Sequence, residues 1–469
     1  MSESEIIATA SPEERRDSVI DKEDRLRPEF VDKVLDAVEA GDDETARQLV
    51  EPLHPADVAD LIEVARADER EGLVKALAGI VSPDVLAEMN DYVREELLDE
   101  MEPQQVADIA GQLETDDAVA LIEDLDRDEQ QAVLERMEPD DRAAVEEALS
   151  YPEESAGRLM QRDLCAVPEH WNVGQVIDYL RSTKDLPDDF WEVFVVNPGH
   201  HPVGTCKLSL ILRMPRTTEV SSIMQREQTL IPVDMDQEDV ALRFQKYALV
   251  SAAVTDDSGR LVGMITVDDI VHIISQEAGE DITLLSGAGE GDINEPIRMT
   301  VRTRVVWLII NLGATICSAS VVGLFQGEIR RYAILAALMP IVSALGGNAG
   351  TQTLAVVVRA LATNQLTSAN TAWMLFREFR IAIANGIALG LVGALGSYVA
   401  LGDAELSLVF ALAMAINSLV AGLVGVLVPL TLDKLRIDPA VSSAVFVTTI
   451  TDVMGFFSFL GLAALLIHR

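Results

Sequence analysis

Five apolar stretches crowd the end of the chain, at about 305–325, 333–358, 380–401, 407–432 and 441–467. Each reaches the ~20 residues that a helix needs to cross a bilayer core. Backbone polar groups in lipid must be satisfied within the spanning structure, so the region is expected to be an all-helical membrane bundle. The fifth stretch breaks its own pattern, because "TTITDVMGFF" holds Asp452 near its middle. A central Asp costs roughly 2.5–3.5 kcal/mol to insert. No basic residue lies deep in any stretch to pair with it, and Arg359 sits near a helix end. A packed polar residue is the bland explanation. The sharper one is a site for a cation, a proton or water, and a cation path is favoured. Helical spacing places Thr448, Asp452 and Gly455 on one face.

The second stretch, "LMPIVSALGGNAGTQTLAVVVRALA", is too polar for simple packing. Pro340 is expected to bend or break its helix. Gly346, Gly347 and Gly350 surround Asn348, and Thr351, Gln352 and Thr353 follow. Irregular backbone at membrane depth is tolerated where it lines a watery cavity. Gly347 and Asn348 are therefore read as pore lining, in preference to a small-residue packing face.

Loop charges give the orientation. Arg298, Arg302, Arg304, Arg359, Arg377, Arg380, Lys434 and Arg436 fall on one side, against Arg330, Arg331 and Arg469 on the other. The positive-inside rule puts the N-terminus in the cytoplasm and the C-terminus outside. "MSESEIIATASPEERRDSVID" has no signal-peptide core, which agrees.

The whole chain has a formal net charge of −41, yet residues 301–469 hold 10 Lys+Arg against 7 Asp+Glu. The acid therefore lies almost wholly in residues 1–300. Such a body attracts cations and repels nucleic acid, so no nucleic-acid partner is expected. Cys165, Cys206 and Cys317 have neither metal-ligand spacing nor a disulfide pattern.

Residues 1–27 are expected to be a disordered tail. Residues 28–150 read as short acidic helices, with Pro55, Pro103 and Pro139 at first-turn positions. A tandem repeat follows. "MQRDLCAVPEHWNVGQVIDYLR" resembles "MQREQTLIPVDMDQEDVALRFQ", and "VFVVNPGHHPVGTCKLSLIL" resembles "AAVTDDSGRLVGMITVDDIV". Each copy reads as strand, helix, strand, turn, strand and helix.

That duplicated unit resembles a pair of CBS domains. Together with the helical N-terminal region, the five spans, "PIVSALGGNAGTQT" and "DPAVSSAVFVTTITDVMGFF", the chain resembles the MgtE family of magnesium channels. The resemblance implies a cytosolic α-helical N-domain, tandem CBS α/β domains at 151–217 and 218–270, a connecting helix and linker at 271–300, and a five-helix all-α transmembrane domain at 301–469.

It also implies a homodimer in the inner membrane, with Asp452 of both chains facing hydrated Mg²⁺. Asn348 matches a pore-lining asparagine, and Asp438 matches an acid at the cytoplasmic start of the last span. Mg²⁺ is then both cargo and regulator, held by Glu277, Glu280 and Asp281 on the connecting helix and by Asp269, Glu238 and Asp116. Glu277, Glu280 and Asp281 stand at i, i+3 and i+4, where like charges repel until a divalent ion intervenes. Ala444 stands where relatives carry a second polar pore residue, which points to altered gate details; His272, Ala120 and Ala248 replace acids of some relatives, which points to a sensor with fewer ions, lower affinity or some pH dependence.

Thr266 and Asp269 fit a ribose-holding pattern, so the second CBS copy is the candidate site for ATP. No phosphate-cradling glycine loop occurs, which argues against hydrolysis and against an enzyme. Two alternatives stand beside the channel. One is a coupled carrier with Asp452 as a proton or sodium site. The other is a nucleotide-sensing membrane protein without transport.

Overall fold

The computed structural model describes residues 19–23, 25–183, 186–187, 190–287, 293–441 and 443–467. The chain divides into two compact units, Met1–Ile274 and Ser275–Arg469.

In the first unit, ten short helices run from Pro28 to Leu149. Pro28, Pro55, Pro83, Pro103 and Pro139 each open a helix. Their fixed φ suits the first turn, and the missing N–H is one that a helix start leaves unpaired anyway. The apolar faces meet in one core that includes Val34, Leu61, Ile62, Leu73, Leu121 and Ile122. The expected disordered tail is corrected in part. Val19 is buried in this core, and Ile20 pairs with Leu26 in a small antiparallel bridge. Residues 1–18 and 24 lie outside the described residues.

Two three-stranded sheets follow. The first is β1 (Ala166–Pro168), β2 (Glu192–Val196) and β3 (Pro202–Lys207); the second is β4 (Leu230–Pro232), β5 (Ser251–Thr255) and β6 (Leu261–Thr266). In each, the first strand runs parallel to the second, and the second runs antiparallel to the third. The repeat read from sequence is therefore a structural repeat.

The boundary between copies is less simple than a cut at 217/218. Gln161 exchanges backbone hydrogen bonds with Met264 of the second copy, and Gln225 does so with Thr205 of the first. Each "MQR" segment thus seats on the other copy. Gly204 and Gly263 make this possible, because an added Cβ would lie 2.8 Å from the carbonyl oxygen of Gln225 or Gln161.

Among its described residues the second unit holds five helices long and apolar enough to cross a membrane: Ile297–Leu324, Ile334–Ala362, Thr371–Leu401, Ala404–Lys434 and Ser443–Leu466. They are called the first to fifth spans here. The second span is corrected from a broken helix to an unbroken one with Pro340 inside it. Pro340 lies in the second turn, where its ring removes one hydrogen bond near the helix start. Its helix then runs on against the fourth and fifth spans. The third span begins earlier than its apolar run and carries Arg377, Glu378 and Arg380 in its first turns.

Candidate functional site

The fifth span places Asp452 half-buried among its neighbours. The carboxylate is not alone, since Ser343 of the second span donates its hydroxyl to Asp452 Oδ1. Among the described residues no ion pair reaches Asp452. Thr448, one turn below, returns its hydroxyl to the carbonyls of Ala444 and Val445, at 2.8 and 3.1 Å.

The glycine cluster divides by role. Gly346 and Gly350 serve close packing, because an added Cβ would lie 1.9 Å from Asn417 Nδ2 at the first and 2.5 Å from Val447 Cγ1 at the second. Gly347 is buried, with Thr448 Cγ2 at 3.7 Å from where its Cβ would be. Asn348 is exposed on the surface of the single chain. Gly346 and Gly350 thus serve packing, and neither is among the residues read from sequence as pore lining, Gly347 and Asn348.

Besides Ser343, Asn417 and Glu378 in the bundle escaped the sequence reading. Asn417 of the fourth span is 1% exposed and donates from Nδ2 to the Val342 carbonyl at 2.9 Å. Glu378 is 5% exposed, pairs with Arg377 at 2.7 Å, and accepts from Thr353 at 3.3 Å. A single Asn in an apolar run carries no periodic mark, and Glu378 stood outside the predicted span.

Of the acidic candidates outside the spans, the structure brings Asp116 to Asp269 and Asp281 to Asp438. Among the described residues no group of three or more His, Cys, Asp or Glu is placed to hold a metal. In the first unit, Asp116 and Asp269 repel one another, with Glu114 and Asp117 adding to the negative field on Asp116. Burial, then Asp269, holds the Asp116 carboxyl well above the usual carboxylate range. Its Oδ1 is shut from solvent without a hydrogen-bond partner. Burial also raises Asp269, although Thr266 donates to its Oδ2 through its hydroxyl at 2.8 Å. Glu114 is pushed up to about 7, first by burial and then by Asp117 and Asp269. Glu238 sits half-buried in the first turn of helix Gln237–Tyr247.

The connecting helix spans Val267–Ser286. In the second unit, its Leu284 and Leu285 pack against Leu354, Val358, Ala440 and Val447 at one end of the bundle. Gly287 closes it at φ +70°, and a Cβ there would press on Trp307 at 3.3 Å. Asp281 is half-buried here. Burial, then the charge of Asp438, raises its pKa above the ordinary value. Asp438 itself caps a turn, accepting from the Ala440 N–H at 2.8 Å. Glu277 and Glu280 are half-buried on the same helix.

The MgtE family model, described as a divalent cation transporter, matches residues 339–462, and that of the MgtE intracellular N domain matches 53–154. The CBS domain model matches 220–276. The magnesium transporter MgtE of Bacillus subtilis (strain 168) is 31% identical over 323 residues, covering 68% of this chain and 71% of that protein. The Thermus thermophilus magnesium transporter MgtE is also 31% identical, with the same shares covered. A solved cytosolic domain of the Mg²⁺ channel MgtE, in complex with ATP, is 27% identical. It covers 52% of this chain and 99% of that one, at a TM-score of 0.48.

Proposed function

The chain belongs to the MgtE family of magnesium transporters, and from that premise we propose that it is a Mg²⁺ channel closed by cytosolic Mg²⁺. The observation that carries the reading is Asp452, an acid in a membrane helix whose partner is a neutral serine. Its charge is uncompensated by any described basic group, so a cation completes it. Mg²⁺ gives up water reluctantly and is usually held through one or two carboxylates and its hydration shell. A homodimer that brings two copies of Asp452 to a shared axis supplies that pair. Exposure of Asn348 on a single chain suits a residue facing such an axis. The charge bias of the loops supports an inner-membrane protein with a cytosolic N-terminus and an external C-terminus.

Regulation rests on the acidic pairs. The orphaned, solvent-shielded Asp116 Oδ1 beside Asp269 fits a hard cation that takes oxygen ligands. Asp281 and Asp438 form a second pair, set where Leu284 and Leu285 meet the bundle. Mg²⁺ bound at such pairs supplies positive charge that turns repulsion into attraction. Without it, the chain's own carboxylates push the connecting helix off the end of the fifth span. Thr266 and Asp269 lie in hydrogen-bond contact, as a ribose-holding pair would, so adenosine-nucleotide binding there stays a secondary part of the proposal.

The test is Mg²⁺ flux in liposomes containing the full-length protein, with internal Mg²⁺ varied and no proton or sodium gradient. Flux that falls as internal Mg²⁺ rises supports the channel; a strict need for a proton or sodium gradient supports a carrier. Neutralising Glu277, Glu280 and Asp281 together raises the internal Mg²⁺ needed for half-inhibition by roughly tenfold or more, the equivalent of one lost contact to a charged group. Unchanged half-inhibition removes these residues from the gate. Asp116→Asn gives a second check through hydrogen exchange. In chelator, helix Thr115–Glu123 becomes better protected than in the wild type, because buried repulsion is relieved. With Mg²⁺, the order reverses, because a ligand has been lost.

A further inference from the structure

Asn417 is the one buried polar side chain in the spans whose acceptor has no partner, among the described residues. It stands where the second, fourth and fifth spans meet. Its Nδ2 donates to the carbonyl of Val342, the residue before Ser343. Its amide fills the space left by two glycines. A Cβ on Gly346 would lie 1.9 Å from Asn417 Nδ2, and one on Gly455 would lie 2.9 Å from the same atom. Gly346 is three residues beyond Ser343, and Gly455 is three beyond Asp452. The amide therefore sits one helical turn behind each partner of the Ser343–Asp452 hydrogen bond.

Burying Asn417 Oδ1 without a donor is unfavourable, because the desolvation of that oxygen is not repaid by a hydrogen bond. An apolar side chain at this position would avoid that cost, so packing alone does not account for an asparagine. What the amide adds is a directional tie from the fourth span to the second, one turn from Ser343, on an amide that the fifth span also packs against at Gly455. Ser343 converts that tie into a hydroxyl held on one carboxylate oxygen.

We propose that Asn417 is a positioning residue for the ion seat. It acts through Ser343, which fixes the carboxylate of Asp452 so that one oxygen is held by the protein and the other is left for a hydrated cation. The inference rests on the reading of Asp452 as the pore acid.

The test uses full-length protein in liposomes loaded with a Mg²⁺ indicator, with external Mg²⁺ varied. Ser343→Ala and Asn417→Ala are each expected to raise the Mg²⁺ giving half-maximal flux by about tenfold, the equivalent of one hydrogen bond to a charged group. The maximal flux stays within about twofold. Ser343→Thr keeps the hydroxyl and restores the wild-type value. The Ser343→Ala/Asn417→Ala double variant matches Ser343→Ala alone, because both act on one contact. Asn417→Ser, with a small polar side chain, is made alongside in case Asn417→Ala fails to assemble, and it is held to the same non-additivity. Unchanged half-saturation in the single variants, or additive effects in the double, overturns the inference. Asp452→Asn is the control. If it still conducts like the wild type, the pore reading fails. If it is silent while the Ser343 and Asn417 variants behave as wild type, only the positioning role fails.

Discussion

Replacing Asp452 by Asn is expected to reduce Mg²⁺ flux to background while leaving the bundle at least as stable as before. The two parts follow from different terms. A hydrogen bond to a charged group contributes about 1.5–3 kcal/mol, and the proposed homodimer would lose the charge on both chains at once. Flux at low Mg²⁺ should fall on the order of 100-fold or more. Stability moves the other way, since the neutral amide avoids the roughly 2.5–3.5 kcal/mol that a central carboxylate costs on insertion. Ser343 can still donate to the amide oxygen, so the seat keeps its hydrogen bond. Flux in liposomes and thermal unfolding in detergent, measured on the same preparation, check both halves. Loss of flux with an unchanged or raised melting temperature marks a functional acid. Loss of both makes Asp452 a structural residue, and retained flux removes it from the path.

The spans, the proline-led helices and the duplicated α/β unit were legible because each rests on a local rule. Twenty apolar residues announce a membrane helix, and a first-turn proline announces a helix start. The seat of Asp452 was only half legible. The acid stands out against its apolar run, but Ser343 and Asn417 are 109 and 35 residues away from it in sequence, and nothing local links them. The glycines illustrate the same limit. Gly346 and Gly350 stand beside Gly347 and Asn348 with no local mark of difference, yet their lack of Cβ is used against Asn417 and Val447. Sequence shows that a position is small but not what approaches it. Pro340 misled in the opposite direction, because one lost hydrogen bond near a helix start does not break a helix held on two sides by neighbours. The exchange of "MQR" segments between repeat copies was likewise hidden, since a repeat shows its period but not which copy each part packs on.

The other large expected effect lies in the acidic helical region. Arg94 is 5% exposed and gathers four groups. Its Nε donates to Asp124 at 2.6 Å, and its Nη2 donates to Asp91 at 2.8 Å. Its Nη1 reaches the carbonyls of Ala87 and Met89 at 3.5 and 3.2 Å. The fork thus ties helix Asp91–Leu98 to the end of the preceding helix and to Asp124, which follows helix Thr115–Glu123. Asp124 is pushed up to about 6, since burial outweighs the lowering by Arg94. Arg94→Met keeps much of the side-chain bulk but leaves that carboxylate with no cation. Removing one partner of a buried pair costs about 3–5 kcal/mol. The sign of the pH dependence follows. An acid whose folded pKa is raised favours the folded state when protonated, and that contribution disappears as pH rises through the folded value. In Arg94→Met the folded pKa of Asp124 climbs further, so the variant should be most destabilised above pH 7 and recover towards pH 5. Arg94→Met/Asp124→Asn should recover part of the loss at every pH. Hydrogen exchange across residues 91–124, measured at pH 5.5 and 8, reads this directly. A pH-independent loss, or none from the double change, would show that Arg94 acts through its backbone carbonyl contacts and not through Asp124.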